Sequence, residues 1–183
     1  MAREPATAYP VSMQRVLGID PGLRITGYGA LSLPLRAREP DLLEAGVIRL
    51  DGRRSIEQRL EQLHDELDEI VERLQPTCLA VEKLYAHYRH PRTAILMAHA
   101  RGVILLCAQH RGLAIAHLPS TEVKKAVTGY GHASKQQIQR AIAVQFRLAA
   151  PPEPPDVADA LAIALTHARR ISMARLEGVT GNG

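Results

Sequence analysis

Three short apolar runs precede the first helical periodicity in this chain, and strand-like and helix-like segments alternate after it. The runs are residues 15–20, turned by Pro21-Gly22, then 25–33 and 44–50. The short polar or Pro/Gly breaks between them predict an antiparallel meander, with 34–40 the least regular connection. Over residues 55–74 the period changes. Ile56, Leu60, Leu63, Leu67, Ile70 and Leu74 recur at alternating steps of four and three until Pro76. That spacing predicts an amphipathic helix laid on a sheet, and it leaves open a dimer contact through the same helix. Residues 77–82 read as a strand, 93–109 as a helix apolar on most sides, 113–118 as a strand and 120–127 as a short helix. Ser134-Lys135-Gln136-Gln137 has the form of a capping box opening a helix to about Leu148. Prolines between 151 and 155 separate it from a last helix over 156–170. This order implies an α/β chain, one mixed five-stranded sheet flanked by helices. Residues 1–14 are expected to be a flexible extension, 15–171 one domain and 172–183 a flexible tail.

Four carboxylates stand in costly positions. Asp20 ends the apolar run Val16-Leu17-Gly18-Ile19, and Glu82 interrupts Cys78-Leu79-Ala80-Val81. Asp156 and Asp159 open the Ala/Leu-rich stretch that follows the prolines, three apart and so on one helical face. Desolvating an unpaired carboxylate is unfavourable, and acids delivered to one place by separate elements suit a hard divalent cation with oxygen ligands. Each acid also has an ordinary alternative. Asp20 fits a Pro-Gly turn, and Asp156 complements the start of a helix dipole. Glu82 has the weakest such excuse, because strands disfavour Glu.

Charge is segregated along the chain. Residues 83–147 hold ten Lys or Arg against one acid, Glu122, and contain all four lysines, Lys83, Lys124, Lys125 and Lys135. Residues 51–73 hold eight acids and four bases. A polyanion-facing side and a solvent or partner side are expected from that division. Tyr85 and Tyr88 lie among Arg89, Arg92 and two histidines, a setting in which exposed rings stack on unpaired bases; the alternative is that Tyr88 packs on the core. With 46% apolar and 23% charged residues, a 183-residue chain suits a single globular core. No apolar run approaches the ~18 residues of a membrane span. The first residues lack a secretory plan, and two cysteines in apolar surroundings, Cys78 and Cys107, read as reduced thiols. A cytoplasmic location is the expectation.

The opening motif Val16-Leu17-Gly18-Ile19-Asp20-Pro21-Gly22-Leu23-Arg24-Ile25-Thr26-Gly27-Tyr28-Gly29 closely resembles that of the RuvC family of Holliday junction endonucleases. Ala80-Val81-Glu82-Lys83-Leu84-Tyr85, Ala100-Arg101-Gly102-Val103, Val123-Lys124-Lys125-Ala126-Val127-Thr128-Gly129 and Asp156-Val157-Ala158-Asp159-Ala160-Leu161 follow in the family's order and spacing. The resemblance runs from about Arg15 to His167. It implies an RNase H-like fold, a homodimer, and Mg²⁺-dependent nicking of two opposed strands of a four-way DNA junction. It implies cooperation with the RuvA–RuvB branch-migration complex as well. It assigns metal binding and catalysis to Asp20, Glu82, Asp156 and Asp159, and adds Lys124 and Lys135 as basic residues serving DNA or the scissile phosphate. The family commonly has Phe where this chain has Tyr85, a position associated with base contacts.

Two Mg²⁺ ions, with Mn²⁺ as a substitute, suit phosphodiester hydrolysis because one activates water and the other stabilises the departing oxygen. The expected arrangement puts Asp20 between them, Glu82 on one side and Asp156 with Asp159 on the other, yielding 5′-phosphate and 3′-hydroxyl ends. Tyr85, Tyr88, Arg89, Arg92, Lys124, Lys125 and Lys135 form the expected DNA-facing set. The rival readings are an actin-like phosphotransferase, a nuclease of the same fold acting on another branched or RNA-containing substrate, and an inactive junction-binding protein.

Overall fold

The computed structural model describes residues 13–83 and 91–180, without the side chains of residues 91, 92 and 178–180. Five strands among these residues form one sheet in the order β3-β2-β1-β4-β5. β1 (Met13–Asp20), β2 (Ile25–Pro34) and β3 (Asp41–Arg49) make the antiparallel meander, with Asp20 opposite Gly27 and Gly18 opposite Gly29. β4 (Cys78–Glu82) pairs parallel to β1, with Gly18 beside Ala80 and Ile19 beside Val81, and β5 (Ala114–Leu118) pairs parallel to β4. Parallel pairing needs a crossover, which α1 (Ile56–Leu74) and α2 (Pro91–His110) supply.

Strand residues alternate between the two sheet faces, and each face has its own core. Leu17, Ile19, Leu79 and Val81 join Leu63, Leu67, Ile104 and Cys107 beneath α1 and α2. Val16, Cys78 and Ala80 join Leu118, Ile138, Leu161 and Leu165 beneath α4 (Lys135–Gln145) and α5 (Pro155–Thr180). α3 (Ser120–Thr128) contributes Val123 to the second core. Asp20 and Glu82 have the parity of Val16 and Ala80, so both project towards α5.

Glycines set how closely α5 approaches. A Cβ on Gly18 would stand 2.3 Å from the Ala160 carbonyl oxygen, and one on Gly27 would stand 2.0 Å from that of Asp156. A side chain at either glycine would therefore collide with the backbone of α5.

Several boundaries differ from the sequence reading. β1 begins at Met13, because Met13 and Gln14 pair with Pro34 and Leu33; residues 1–12 lie outside the described set. β3 begins at Asp41, extending the ladder to Ser32 past a bulge. α4 stops at Gln145 rather than near Leu148, where Arg147 takes a positive φ of 52°. α5 does not end at Arg170 but continues to Thr180. No breaker precedes Gly178, Ser172 is buried, and Ile171 packs against the core. Both capping boxes, Ser55 with Gln58 and Ser134 with Gln137, satisfy N-terminal amides reciprocally. Cys78 and Cys107 are buried free thiols, and burial pushes each up to about 11. Among the described residues no helix is long and apolar enough to cross a membrane.

Candidate active site

β1 and β4 run parallel and end side by side, so Asp20 and Glu82 emerge together at one end of the sheet. Thr26 fixes the turn that follows Asp20: its hydroxyl donates to the Gly22 carbonyl at 2.6 Å and accepts from the Gly22 amide at 3.1 Å. Arg59 on α1 holds the same turn through the Leu23 carbonyl at 2.9 Å. The first turns of α5 cross this end and carry Asp156 and Asp159. All four acids line one cavity of about 310 Å³, together with Ser120, Lys124 and Lys135.

Mutual repulsion marks the site electrically. Burial pushes the half-buried Asp20 carboxyl up to about 8, and Asp159, Glu82 and Asp156 add to the rise, while Lys135 opposes it. Glu82 is also raised, first by burial and then by Asp159, against a lowering hydrogen bond from Ser120 and the nearby Lys124 and Lys135. Lys135 answers part of this charge, with its Nζ 3.1 Å from Asp159 Oδ2. Burial works to lower the Lys135 pKa, but Asp159, Asp20 and Asp156 together hold it above the ordinary lysine value. Among the described residues no three of these groups form a closed chelate by themselves. The donor set is nevertheless all oxygen, in excess over the cations facing it, and suits a hard divalent ion that retains water and takes further oxygens from its substrate.

Three contacts shape the site without having been legible beforehand. Ser120 begins α3, but the N-cap is Pro119 and makes no side-chain cap bond; the Ser120 hydroxyl serves Glu82 instead. Arg101 on α2 donates through Nε to the Glu82 carbonyl at 3.1 Å and meets His117 at 2.6 Å, tying the ends of β4 and β5 to α2. Its position in a helix gave no hint of that target. Beside the acids, and sharing Pro21, Met97 and Asp156 with them, lies a larger cavity of about 450 Å³ whose walls include Leu23, Ile25 and Leu96.

The expected DNA-facing residues divide. Lys124 and Lys135 line the acidic cavity; Lys125 is exposed one position further along α3 and does not. Tyr85, Tyr88 and Arg89 lie outside the described residues, as does the side chain of Arg92.

A family model described as crossover junction endodeoxyribonuclease RuvC matches residues 16–167. A protein of that name from Rhodopirellula baltica is 46% identical over 168 residues, covering 90% of this chain and 92% of the relative. One from Desulforamulus reducens is 41% identical, covering 84% and 93%. The structure of T. thermophilus RuvC in complex with Holliday junction substrate superposes with a TM-score of 0.80 at 31% identity, covering 88% of this chain and 97% of that one.

Proposed function

The chain belongs to the RuvC family of crossover junction endodeoxyribonucleases, and from that premise we propose that its four clustered acids are the centre at which four-way DNA junctions are cut. The protein is an RNase H-like nuclease, and its activity is that of a junction-resolving endodeoxyribonuclease. The observation that carries the site assignment is the single cavity at the ends of β1 and β4 in which Asp20, Glu82, Asp156 and Asp159 face one another. Membership in this family implies dependence on a divalent metal. We assign that role to two Mg²⁺ ions, with Mn²⁺ as a substitute; Asp20 with Glu82 would hold one and Asp20 with Asp156 and Asp159 the other, and the ions would supply positive charge to the attacking and departing oxygens.

The chain's own groups then have distinct tasks. Asp20 must give up its proton before it can ligate, since burial, and then repulsion from its neighbours, favours the neutral form. Ser120 and Arg101 hold Glu82 at the strand end. Lys135, in the first turn of α4, adds its ammonium to a helix N-terminus that already favours phosphate. Lys124 faces the same cavity from α3. The neighbouring apolar cavity has room for the sugar and base next to the scissile phosphate.

Paired symmetric nicks call for two sites related by a twofold axis, which a homodimer supplies. The outer face of α2 supports that assembly: Ile95 and Leu106 are 56% and 51% exposed, and Gly102 between them has open space around it. The RuvA–RuvB complex is the assigned branch-migration partner, to be tested by co-purification. The central experiment compares wild type and Asp20→Asn with Mg²⁺ on a four-way junction, a plain duplex and an RNA–DNA hybrid. Selective cutting of the junction by wild type, with binding but no cutting by the variant, is expected. Equal cutting of the hybrid, or cutting by the variant, would overturn the reading.

A further inference from the structure

At the end of the sheet opposite the acids, the segment after β2 meets the last turns of α5. Asp20 faces Gly27 in the ladder whereas Met13 faces Pro34, so this segment lies at the far end of β1. Along α5, Asp159 and Arg175 are about 24 Å apart at 1.5 Å per residue. A cavity of about 350 Å³ opens there, lined among others by Leu35, Arg36, Arg38, Ser172, Arg175 and Leu176.

Among the described residues, three guanidinium groups line this cavity and no carboxylate does. The acid beside Arg38 in sequence, Glu39, is already engaged by Arg169 at 2.9 Å and by Gln145 at 2.9 Å. Arg36 and Arg38 are exposed, but Arg175 Nη1 is buried and has no hydrogen-bond partner among the described residues. A buried donor of a charged group without a partner is unfavourable and calls for an explanation. The cavity's borders are also apolar. Leu35 and Leu176 are about half exposed, at 48% and 47%, and Met173 stands exposed on the preceding turn of α5.

We propose that this cavity is a docking site for an acidic peptide segment of a partner protein, one that carries an apolar side chain among its carboxylates. Guanidinium forks match carboxylates with two parallel hydrogen bonds, and Arg clusters recur as readers of acidic motifs. The flanking leucines decide between a peptide and nucleic acid, because exposed apolar surface beside a charged pocket serves a protein partner and does nothing for a phosphate backbone.

The test uses the full chain and a fluorescein-labelled peptide of Asp-Glu-Leu repeats, followed by anisotropy. Saturable binding is expected, weakened at least tenfold in Arg175→Gln and in the Asn-Gln-Leu counterpart of the peptide. Lys124→Gln should leave peptide binding unchanged, which separates this site from the DNA-facing side. Junction cleavage by Arg175→Gln should match wild type. Should that variant fail to fold, the exposed pair Arg36→Gln with Arg38→Gln takes its place. Unchanged affinity in the Arg variants, no saturation at millimolar peptide, or equal binding when Ser replaces Leu would overturn the proposal. Displacement of the peptide by oligothymidylate or inorganic phosphate at matched concentration would show a bare anion site and equally overturn it.

Discussion

Neutralising Asp20 separates two consequences of one carboxylate. Its folded value of about 8 lies above the ordinary 3.8, so the folded chain holds a proton that the unfolded chain releases. The corresponding stability is fully present below about pH 4 and is lost as pH rises through about 8. In chelator, wild-type stability should therefore fall across that window with a slope of up to about 1.4 kcal/mol per pH unit. Asp20→Asn should flatten the slope, as thermal melts at pH 5 and pH 8 will show. Parallel curves for the two proteins would refute the electrostatic account, and added divalent metal should recover wild type alone. Lys135 offers a second residue-level test. Lys135→Met should lower cleavage tenfold or more with junction affinity reduced far less, and Lys135→Arg should restore part of the rate. The value of Asp20 as a candidate was legible because an acid ends an apolar run. Ser120 was not, since a serine at a helix start reads equally well as a cap.

At the scale of elements, what matters is the distance between α5 and the strands beneath it. Gly18→Ala would push a methyl group against the Ala160 carbonyl, a backbone atom that cannot swing aside. Overpacking of this kind costs about 1–3 kcal/mol, measurable by urea unfolding. Gly27→Ala presses instead on the Asp156 carbonyl, at the turn of α5 that carries two of the acids. Its cleavage rate should fall well below that of Gly18→Ala at a temperature where both remain folded. Equal rates would mean that the acids tolerate displacement. Element types were readable from period and capping: Ser134 and Gln137 announced α4, and Pro76 ended α1. The extent of α5 was not, because Ile171 and Ser172 are held by the core and by the segment after β2, contacts absent from local sequence.

For the whole molecule, DNA binding and assembly supply the measurements. Junction affinity should fall linearly with salt on logarithmic axes, and Lys124→Gln should reduce the slope by about 1 if that lysine meets a phosphate. Leu106→Asp on the outer face of α2 should yield monomers in sedimentation and convert paired nicks into single ones. Monomers that still cut both strands together would exclude that face as the one joining the two sites. By itself the sequence determined the alternation that puts Asp20 on the face of Val16 and Glu82 on the face of Ala80, because side-chain parity along a strand is a local property. It also determined that Asp156 and Asp159 share a helical face. Only the tertiary structure decided that β4 lies beside β1, that Gly18 and Gly27 let α5 descend onto both, and that four acids drawn from three elements face one cavity. Those are choices of neighbour, made by burying two cores on opposite sides of one sheet, and no local stretch of chain contains them.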